Sequence, residues 1–179
     1  MHWAPVDLSF KSLNNVEDAL NVEPNQRQQE LRRGKDGTFC SRIVRLSNNN
    51  ISELTGLINT VSVLLSQPAQ LAWLDLSFNK ISRIDPMLTE LQQLRVLYLH
   101  GNSIVRLCEV DKLGSLPFLH TITLHGNSVE NKCGYRGYVI ANLLHLKSMD
   151  FNGITKQERL MASLQHKRRN LHKLTSSSL

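Results

Sequence analysis

A short pattern of apolar residues followed by an asparagine recurs four times, and it constrains the fold more than any other feature. The pattern is L-x-L-x-x-N-x-[IV], and its asparagines are Asn49, Asn79, Asn102 and Asn127. These asparagines follow one another at steps of 30, 23 and 25 residues, and a fifth, degenerate copy begins at Met149-x-Phe151. Self-similarity at such a period is typical of solenoid proteins, in which each repeat packs on its neighbours.

Each copy of the pattern predicts a short strand. Because side chains alternate along a strand, the two apolar residues of L-x-L face the core and the residue between them faces outward. The same rule places Met149 and Phe151 in the core. The asparagine follows where the chain leaves the strand, and its amide can hydrogen-bond backbone groups from repeat to repeat. We therefore predict a structural role for all four asparagines.

The segments between the strands have a helical spacing of apolar residues. Leucine, isoleucine and valine at residues 54–65 follow the i, i+3, i+4, i+7 rule, which predicts a helix on the convex side. Asp85 and Pro86 form a helix start with an N-cap and a proline at the first helical position. Residues 107–119 repeat the pattern. The predicted fold class is α/β: a short solenoid with a parallel concave sheet and a helical convex side.

The chain divides into three segments. Residues 1–40 are predicted to be partly a cap on the first repeat, through Leu13, Val16 and Leu20, and partly a mobile connector. Residues 41–154 contain the repeats and a C-terminal cap. Residues 155–179 form a basic tail, which Thr155 and Glu158 open with a capping box that starts a helix. Four leucines lie on one side of this helix, and the first two could hold it against the last repeat: Leu160, Leu164, Leu171 and Leu174.

The end of the array carries a family resemblance. The runs YRGYVI at 135–140 and LLHLKSMD at 143–150 resemble the C-terminal cap of intracellular leucine-rich repeat proteins. This group contains a phosphatase-1 regulatory protein and a spliceosomal U2 protein, and the match covers roughly residues 43–160. The resemblance implies a cytoplasmic interaction scaffold in a ciliary or flagellar (axonemal) assembly. It also leaves open a phosphatase-1 regulatory subunit or a ribonucleoprotein component.

Outward-facing residues of the strands are the predicted partner-binding site. They are Arg45, Trp73, Asp75, Phe78, Tyr98, His100, His125 and Asp150. Exposed aromatic residues are frequent hot spots of protein interfaces. Trp73 and Phe78 have a second interpretation, because either ring could instead pack inward or against the N-terminal segment.

The two histidines of this surface occupy equivalent positions of adjacent repeats. We expect His100 and His125 to lie about 5 Å apart on neighbouring strands. A metal pair is conceivable there, but a stacked imidazole pair or a partner contact is the preferred interpretation. We therefore predict no metal site and no cofactor.

The tail holds most of the positive charge. The formal net charge is +6, and residues 155–179 carry six Lys or Arg against one acid. Lys167, Arg168 and Arg169 are candidate contacts to an acidic protein surface such as a microtubule. The alternatives are a solvated helix packed on the last repeat and, less favoured, a nucleic-acid site, because no aromatic stacking platform lies beside the cluster.

No motif for catalysis is present in the sequence. The chain has no phosphate-binding glycine loop, nucleophile elbow or zinc-type cysteine pair. An open strand surface also excludes water poorly, so we predict a non-enzyme. The three cysteines are far apart and are expected to be reduced, and no apolar stretch approaches the length of a membrane span.

Overall fold

The structure is a computed structural model that describes residues 3–26 and 30–176, with side chains described only as far as residue 168. One sheet of seven strands runs through the chain in sequence order. The strands are β1 (Val6–Asp7), β2 (Ile43–Arg45), β3 (Trp73–Asp75), β4 (Val96–Tyr98), β5 (Thr121–Thr123), β6 (Ser148–Met149) and β7 (Asn152–Gly153). The first six are parallel, and β7 pairs antiparallel with β6.

The register of the sheet matches the sequence repeat. Each repeat contributes one apolar residue to a continuous column that crosses the sheet and is fully buried: Val44, Leu74, Leu97, Ile122 and Met149. In the four complete copies, the second apolar residue of the L-x-L pair is buried beside it. The predicted parallel solenoid is confirmed.

The asparagines join neighbouring repeats through hydrogen bonds. The Asn102 amide nitrogen donates to the carbonyls of Leu76 and Leu99, each at 2.9 Å, and its oxygen accepts from the Ile81 amide at 3.0 Å. Asn49, Asn79 and Asn127 bond their own and the preceding repeat in the same way. Stacked repeats bury these loop carbonyls, and the amides supply their partners.

The convex side contains few true α-helices. The first crossover contains α1 (Leu57–Leu64) and a 3₁₀ turn at Pro68–Gln70. The next two crossovers contain 3₁₀ turns at Pro86–Glu90 and Leu107–Leu113, and the crossover after β5 begins with a 3₁₀ turn at Ser128–Asn131. A 3₁₀ turn covers more distance per residue, which suits repeats of only 23 to 25 residues. The N-cap at Asp85 is confirmed, because its carboxylate accepts from the Met87 amide at 2.9 Å.

The repeat array begins within the segment at residues 1–40. Strand β1 pairs with β2 in register, and Leu8 is fully buried in the core. A 3₁₀ turn at Val16–Asn21 then packs against α1. Val16 and Ala19 are buried there, but Leu20 is 38% exposed, so the capping face uses Ala19 where we had expected Leu20.

The degenerate fifth copy differs from its prediction. Met149 is buried, but Phe151 is 61% exposed and has a left-handed backbone with φ of 62°. Phe151 lies in the tight turn between β6 and β7, so the L-x-L alternation stops at Met149. The assignment of Phe151 to the core is therefore wrong.

One helix of the cap and one helix of the tail pack against each other. Helix α2 (Tyr135–Asn142) packs against α3 (Lys156–Ser176), which opens with the expected capping box between Thr155 and Glu158. The Arg136 guanidinium and the Thr155 amide lower the pKa of Glu158 to about 2. No helix in the described residues is long and apolar enough to cross a membrane.

The side of α3 that packs against the rest of the protein is not the side that carries its leucines. Ala162 is only 3% exposed, whereas Leu160 and Leu164 are 59% and 45% exposed. The expectation that these two leucines hold the helix against the last repeat is wrong. Leu171 and Leu174 belong to the part of α3 without described side chains.

Candidate protein-binding face

Aromatic rings form one connected cluster on the outward face of the sheet, which we call the aromatic face. The Trp73 and Tyr98 rings meet edge to face, with centroids 5.4 Å apart, across β3 and β4. Tyr98 contacts Phe151 in the same way at 5.5 Å. Burial, followed by the charge of Asp75, raises the pKa of the Tyr98 hydroxyl, so this ring is neutral at physiological pH. The cluster therefore joins the middle of the sheet to its C-terminal turn.

The two predicted neighbours His100 and His125 are stacked. Their ring centroids are 4.6 Å apart and their planes differ by 10°. His100 is not a surface residue, because it is only 9% exposed and its Nδ1 is 2.7 Å from the Thr123 hydroxyl. Within the described residues, no group of three or more His, Cys, Asp or Glu side chains is placed to hold a metal ion.

Phe78 points outward, which decides between its two interpretations. Its ring is 53% exposed and meets the His100 imidazole edge to face at 5.1 Å. The ring covers Gly101 so closely that a Cβ there would lie 2.5 Å from the Phe78 Cδ1 atom. Phe78 itself has a φ of 52°, a left-handed conformation that costs a bulky residue free energy.

Trp73 lies at the margin of the aromatic face and is partly buried. Its indole Nε1 is buried and has no hydrogen-bond partner in the described structure. The ring thus combines both interpretations, with one edge packed into the protein and the other against Tyr98.

Arg45 and Asp75 are engaged within the protein. Asp75 is 3% exposed, and its carboxylate accepts a hydrogen bond from the Ser77 hydroxyl at 2.6 Å. Arg45 lies between two buried carboxylates, with nitrogen to oxygen distances of 3.5 Å to Asp75 and 3.8 Å to Asp7. A buried charge of this kind needs a paired counter-charge. The arrangement therefore stabilises the first three strands and offers a partner only the partly exposed edge of Arg45.

The Asp150 side chain bonds the backbone of the preceding repeat. Its Oδ1 accepts from the amides of Leu124 and His125, at 2.7 and 3.0 Å. In the repeat before, the equivalent amide of Leu99 donates to the Thr123 carbonyl instead. Its Oδ2 accepts from the Tyr135 hydroxyl at 2.8 Å. Burial, and then the nearby Asp150 charge, raises the pKa of Tyr135, so this hydroxyl remains a donor. Asp150 therefore occupies an outward position but serves the cap.

Phe151 is the member of the aromatic face that sequence reasoning missed. It contacts His100 and His125 as well as Tyr98, at centroid distances of 5.5 to 5.7 Å. The following pair, Asn152 and Gly153, is a common turn signal. It points to a turn two residues too late, because the chain reverses at Asp150 and Phe151 and the Asn-Gly pair forms β7.

The basic tail residues lie apart from this face. Lys167 and Arg168 are exposed on α3, and the side chain of Arg169 is outside the described residues. The predicted partner-binding residues thus form separate aromatic and basic sites.

Comparison with known proteins places this geometry in a family. The leucine-rich repeat family profile matches residues 40–177. Leucine-rich repeat-containing protein 51 of Bos taurus is 46% identical over 160 residues, which span 89% of this chain and 83% of the relative. The Homo sapiens protein of that name is 45% identical over the same shares.

More distant relatives share the fold. U2 small nuclear ribonucleoprotein A' of Arabidopsis thaliana is 36% identical over 123 residues, covering 67% of this chain and 45% of that protein. The Drosophila melanogaster SNF/U2A' complex contains a chain that superimposes with a TM-score of 0.60 at 24% identity, covering 76% of this chain and 86% of that one. The repeats, the cap and these matches together show that the chain belongs to the leucine-rich repeat family.

Proposed function

We propose that this protein is a non-catalytic interaction scaffold whose aromatic face binds a segment of a partner protein. The observation that carries the proposal is the pair of phenylalanines, Phe78 and Phe151, on either side of the histidine stack. Both rings are more than half exposed, and both residues have positive φ. Large apolar rings held in a strained backbone conformation are unfavourable in an isolated protein and are typical of a functional surface.

The non-catalytic part of the proposal rests on how the polar groups are used. The His100 imidazole is bonded to a fully buried threonine, and Asp150 is occupied by backbone amides and Tyr135. A nucleophile and base of an enzyme need access to a bound substrate. Members of the leucine-rich repeat family are generally binding scaffolds, which agrees with this use.

A pull-down with matched variants tests the proposal. Phe78→Asn removes the ring but suits the left-handed backbone, and Asn48 has the same conformation, with a φ of 57°, in the repeat before it. Leu144→Ala is the control, because it also removes a largely exposed apolar side chain but lies off the aromatic face and the basic tail. We expect Phe78→Asn to lose partners that the parent and Leu144→Ala retain. Identical partner sets for all three proteins would contradict the proposal.

We propose further that the scaffold is cytoplasmic and works in a ciliary or flagellar assembly. The support is the resemblance to leucine-rich repeat-containing protein 51 over most of the chain. Pull-downs from ciliated and non-ciliated cells test this part separately. Axonemal proteins captured only from ciliated cells would support it, and partners independent of ciliation would contradict it.

A ribonucleoprotein role is the second candidate function. It is supported by the 36% identity to the U2 A' protein of Arabidopsis thaliana, whose name places it in a small nuclear ribonucleoprotein. Capture of spliceosomal proteins in the same experiment would favour it. Capture of a phosphatase-1 catalytic subunit would instead favour the regulatory-subunit alternative.

We also propose that the basic tail docks on an acidic protein surface. Lys167 and Arg168 are exposed on the helix that forms the tail. Exposed positive charges attract acidic surfaces over about 8–10 Å at physiological salt.

A further inference from the structure

A row of basic residues lies along the edge of the sheet where the strands begin. The residues directly before β2, β4, β5 and β6 are Arg42, Arg95, His120 and Lys147. Backbone hydrogen bonds place them in register: the His120 amide donates to the Arg95 carbonyl and the Lys147 amide donates to the His120 carbonyl. Ala72 holds the equivalent position before β3. We call these four basic residues the basic row.

The cations of the basic row differ from several others in the protein, which form ion pairs. Elsewhere, Arg106 and Lys112 pair with Glu109, and Arg136 pairs with Glu158. Within the described part of the chain, no carboxylate lies in ion-pair distance of Arg42, Arg95 or Lys147. The row therefore presents positive charge that the protein does not neutralise itself.

These charges act on one another. Burial, followed by the charges of Lys147 and Arg95, lowers the pKa of His120, which lies between them. The two cations are thus close enough to repel a third positive charge. An anionic ligand at this edge would relieve that repulsion.

Two guanidinium groups of the row are held by aromatic rings. The Arg42 Cζ lies 5.1 Å from the centroid of the Trp3 ring, and the Arg95 Cζ lies 5.9 Å from that of Phe118. A cation–π contact of this kind orients a guanidinium without using its N–H donors. Those donors can then form the paired hydrogen bonds that arginine makes with carboxylates.

We propose that the basic row binds an extended, carboxylate-rich segment of a partner polypeptide that runs across the beginnings of the strands. Neighbouring strands are about 4.8 Å apart, so four steps from Arg42 to Lys147 span about 19 Å. A stretch of about six extended residues covers that distance. The basic row is separate from the aromatic face, because it lies at the edge of the sheet and not on its outward surface.

A polypeptide fits this surface better than a nucleic acid. Binding of single-stranded nucleic acid uses open ring faces on which bases stack. The rings near the row already have contacts within the protein, so they are not open to stacked bases. Phe118 and Trp3 have arginines above them, and Trp73 packs edge to face with Tyr98. The row therefore supplies charge and donors without a stacking platform.

Fluorescence anisotropy with the full chain tests the proposal. The probes are a labelled peptide of eight glutamates, the matching peptide of eight glutamines and an eight-nucleotide single-stranded RNA. The row variant is Arg95→Glu with Lys147→Glu. The control variant with the same change in charge is Lys80→Glu with Arg83→Glu on exposed loop positions. A third variant, Lys167→Glu with Arg168→Glu, measures separately what the tail contributes.

We expect the parent to bind the glutamate peptide and not the glutamine peptide, and the row variant to weaken binding about tenfold or more. The control variant should weaken it less than about threefold, because charge away from the site acts only through screened attraction. The tail variant should weaken it less than the row variant does. Arg95→Gln with Lys147→Gln repeats the test if circular dichroism shows that the glutamate substitutions unfold the chain.

Several results would overturn the proposal. Equal weakening by all three double variants would show general charge attraction, and the largest loss in the tail variant would place the site on α3. Tighter binding of the RNA, with the same dependence on Arg95 and Lys147, would identify a nucleic-acid surface. Failure of the parent to bind the glutamate peptide would show that the basic row is not a binding site for carboxylate-rich segments.

Discussion

The imidazole rings of His100 and His125 lie face to face, with centroids 4.6 Å apart and planes within 10° of parallel. Two protonated imidazoles at this distance would repel each other strongly. Burial lowers the pKa of His100, and the neighbouring His125 lowers it further. The stack thus favours a neutral His100, and it sits at the centre of the aromatic face.

The first prediction follows from this pair. An unfolded histidine has a pKa of about 6.5. Just below that pH, the histidine is protonated in the unfolded chain but stays neutral as His100 in the folded protein. Stability should therefore fall as the pH drops from above about 6.5 towards the lower folded-state pKa. We expect the Tm to fall less between about pH 7.5 and 5.5 in His100→Gln than in the parent.

The control for this prediction is the exposed His145. We expect the Tm of His145→Gln to depend on pH in the same way as the Tm of the parent. The pKa of His120 is also lowered, mainly by burial, but that residue contributes equally to the parent and to both variants. Equal loss of Tm in the parent and His100→Gln would contradict the role of the stack.

The second prediction concerns the asparagine ladder and the core. Asn102→Ala removes bonds to two repeats and leaves buried backbone groups unpaired, at a cost of about 1–3 kcal/mol in unfolding free energy. Leu99→Ala should cost about 2–5 kcal/mol through the cavity it leaves. Chemical denaturation measures both, and the exposed Asn14→Ala should be close to neutral. Parent-like stability of Asn102→Ala would show that the ladder contributes little.

The third prediction separates a structural from a binding role of Asp150. Asp150→Ala leaves the amides of Leu124 and His125 without their acceptor, so we expect unfolding free energy to fall by about 1–3 kcal/mol. Tyr135→Phe, which loses one hydrogen bond to the same carboxylate, should cost about 1 kcal/mol. An Asp150→Ala protein that melts like the parent but loses its partner would make Asp150 a contact residue instead.

The fourth prediction concerns the aromatic face. Replacing Trp73 and Tyr98 together with Ala should weaken the main partner, because buried aromatic residues contribute most of the energy of many interfaces. The partly buried Trp73 makes some loss of stability unavoidable, so Phe78→Asn is the cleaner variant. We expect it to change unfolding free energy by less than about 1 kcal/mol, since lost ring contacts offset relieved backbone strain. Loss of folding without a separate loss of binding would assign these rings to the core.

The fifth prediction concerns the tail. Changing Lys167, Arg168 and Arg169 to Glu should release the protein from its assembly while the repeats stay folded. Association of the parent should also weaken as salt rises. Sedimentation at low and at raised salt measures both effects. A triple variant that still sediments with the assembly at low salt would show that the sheet, and not the tail, binds the partner.

A matched pair of truncations tests where the cap ends. Removal of the residues after Arg169 should be tolerated. Removal from Thr155 onward should cause aggregation, because it uncovers the α2 surface that Ala162 buries and breaks the 2.7 Å ion pair between Arg136 and Glu158. Light scattering distinguishes the two products.

The sequence by itself determined the repeat, the sheet register and the start of α3. These features depend on local periodicity: Leu97 and Leu99 share a face because strands alternate, and Thr155 with Glu158 caps a helix within four residues. The spacing of the asparagines also placed His100 beside His125, because equivalent positions of stacked repeats are neighbours.

Tertiary structure alone decided what each outward residue does. Asp75 and Asp150 occupy outward positions, yet Asp75 is buried by its contacts with the serine and arginine beside it and Asp150 bonds backbone amides of the preceding repeat. Phe151 became part of the aromatic face because the chain reverses at that residue. Alternation fixes the direction of a side chain within a strand, but hydrogen bonds and packing between repeats decide whether that side chain remains free to meet a partner.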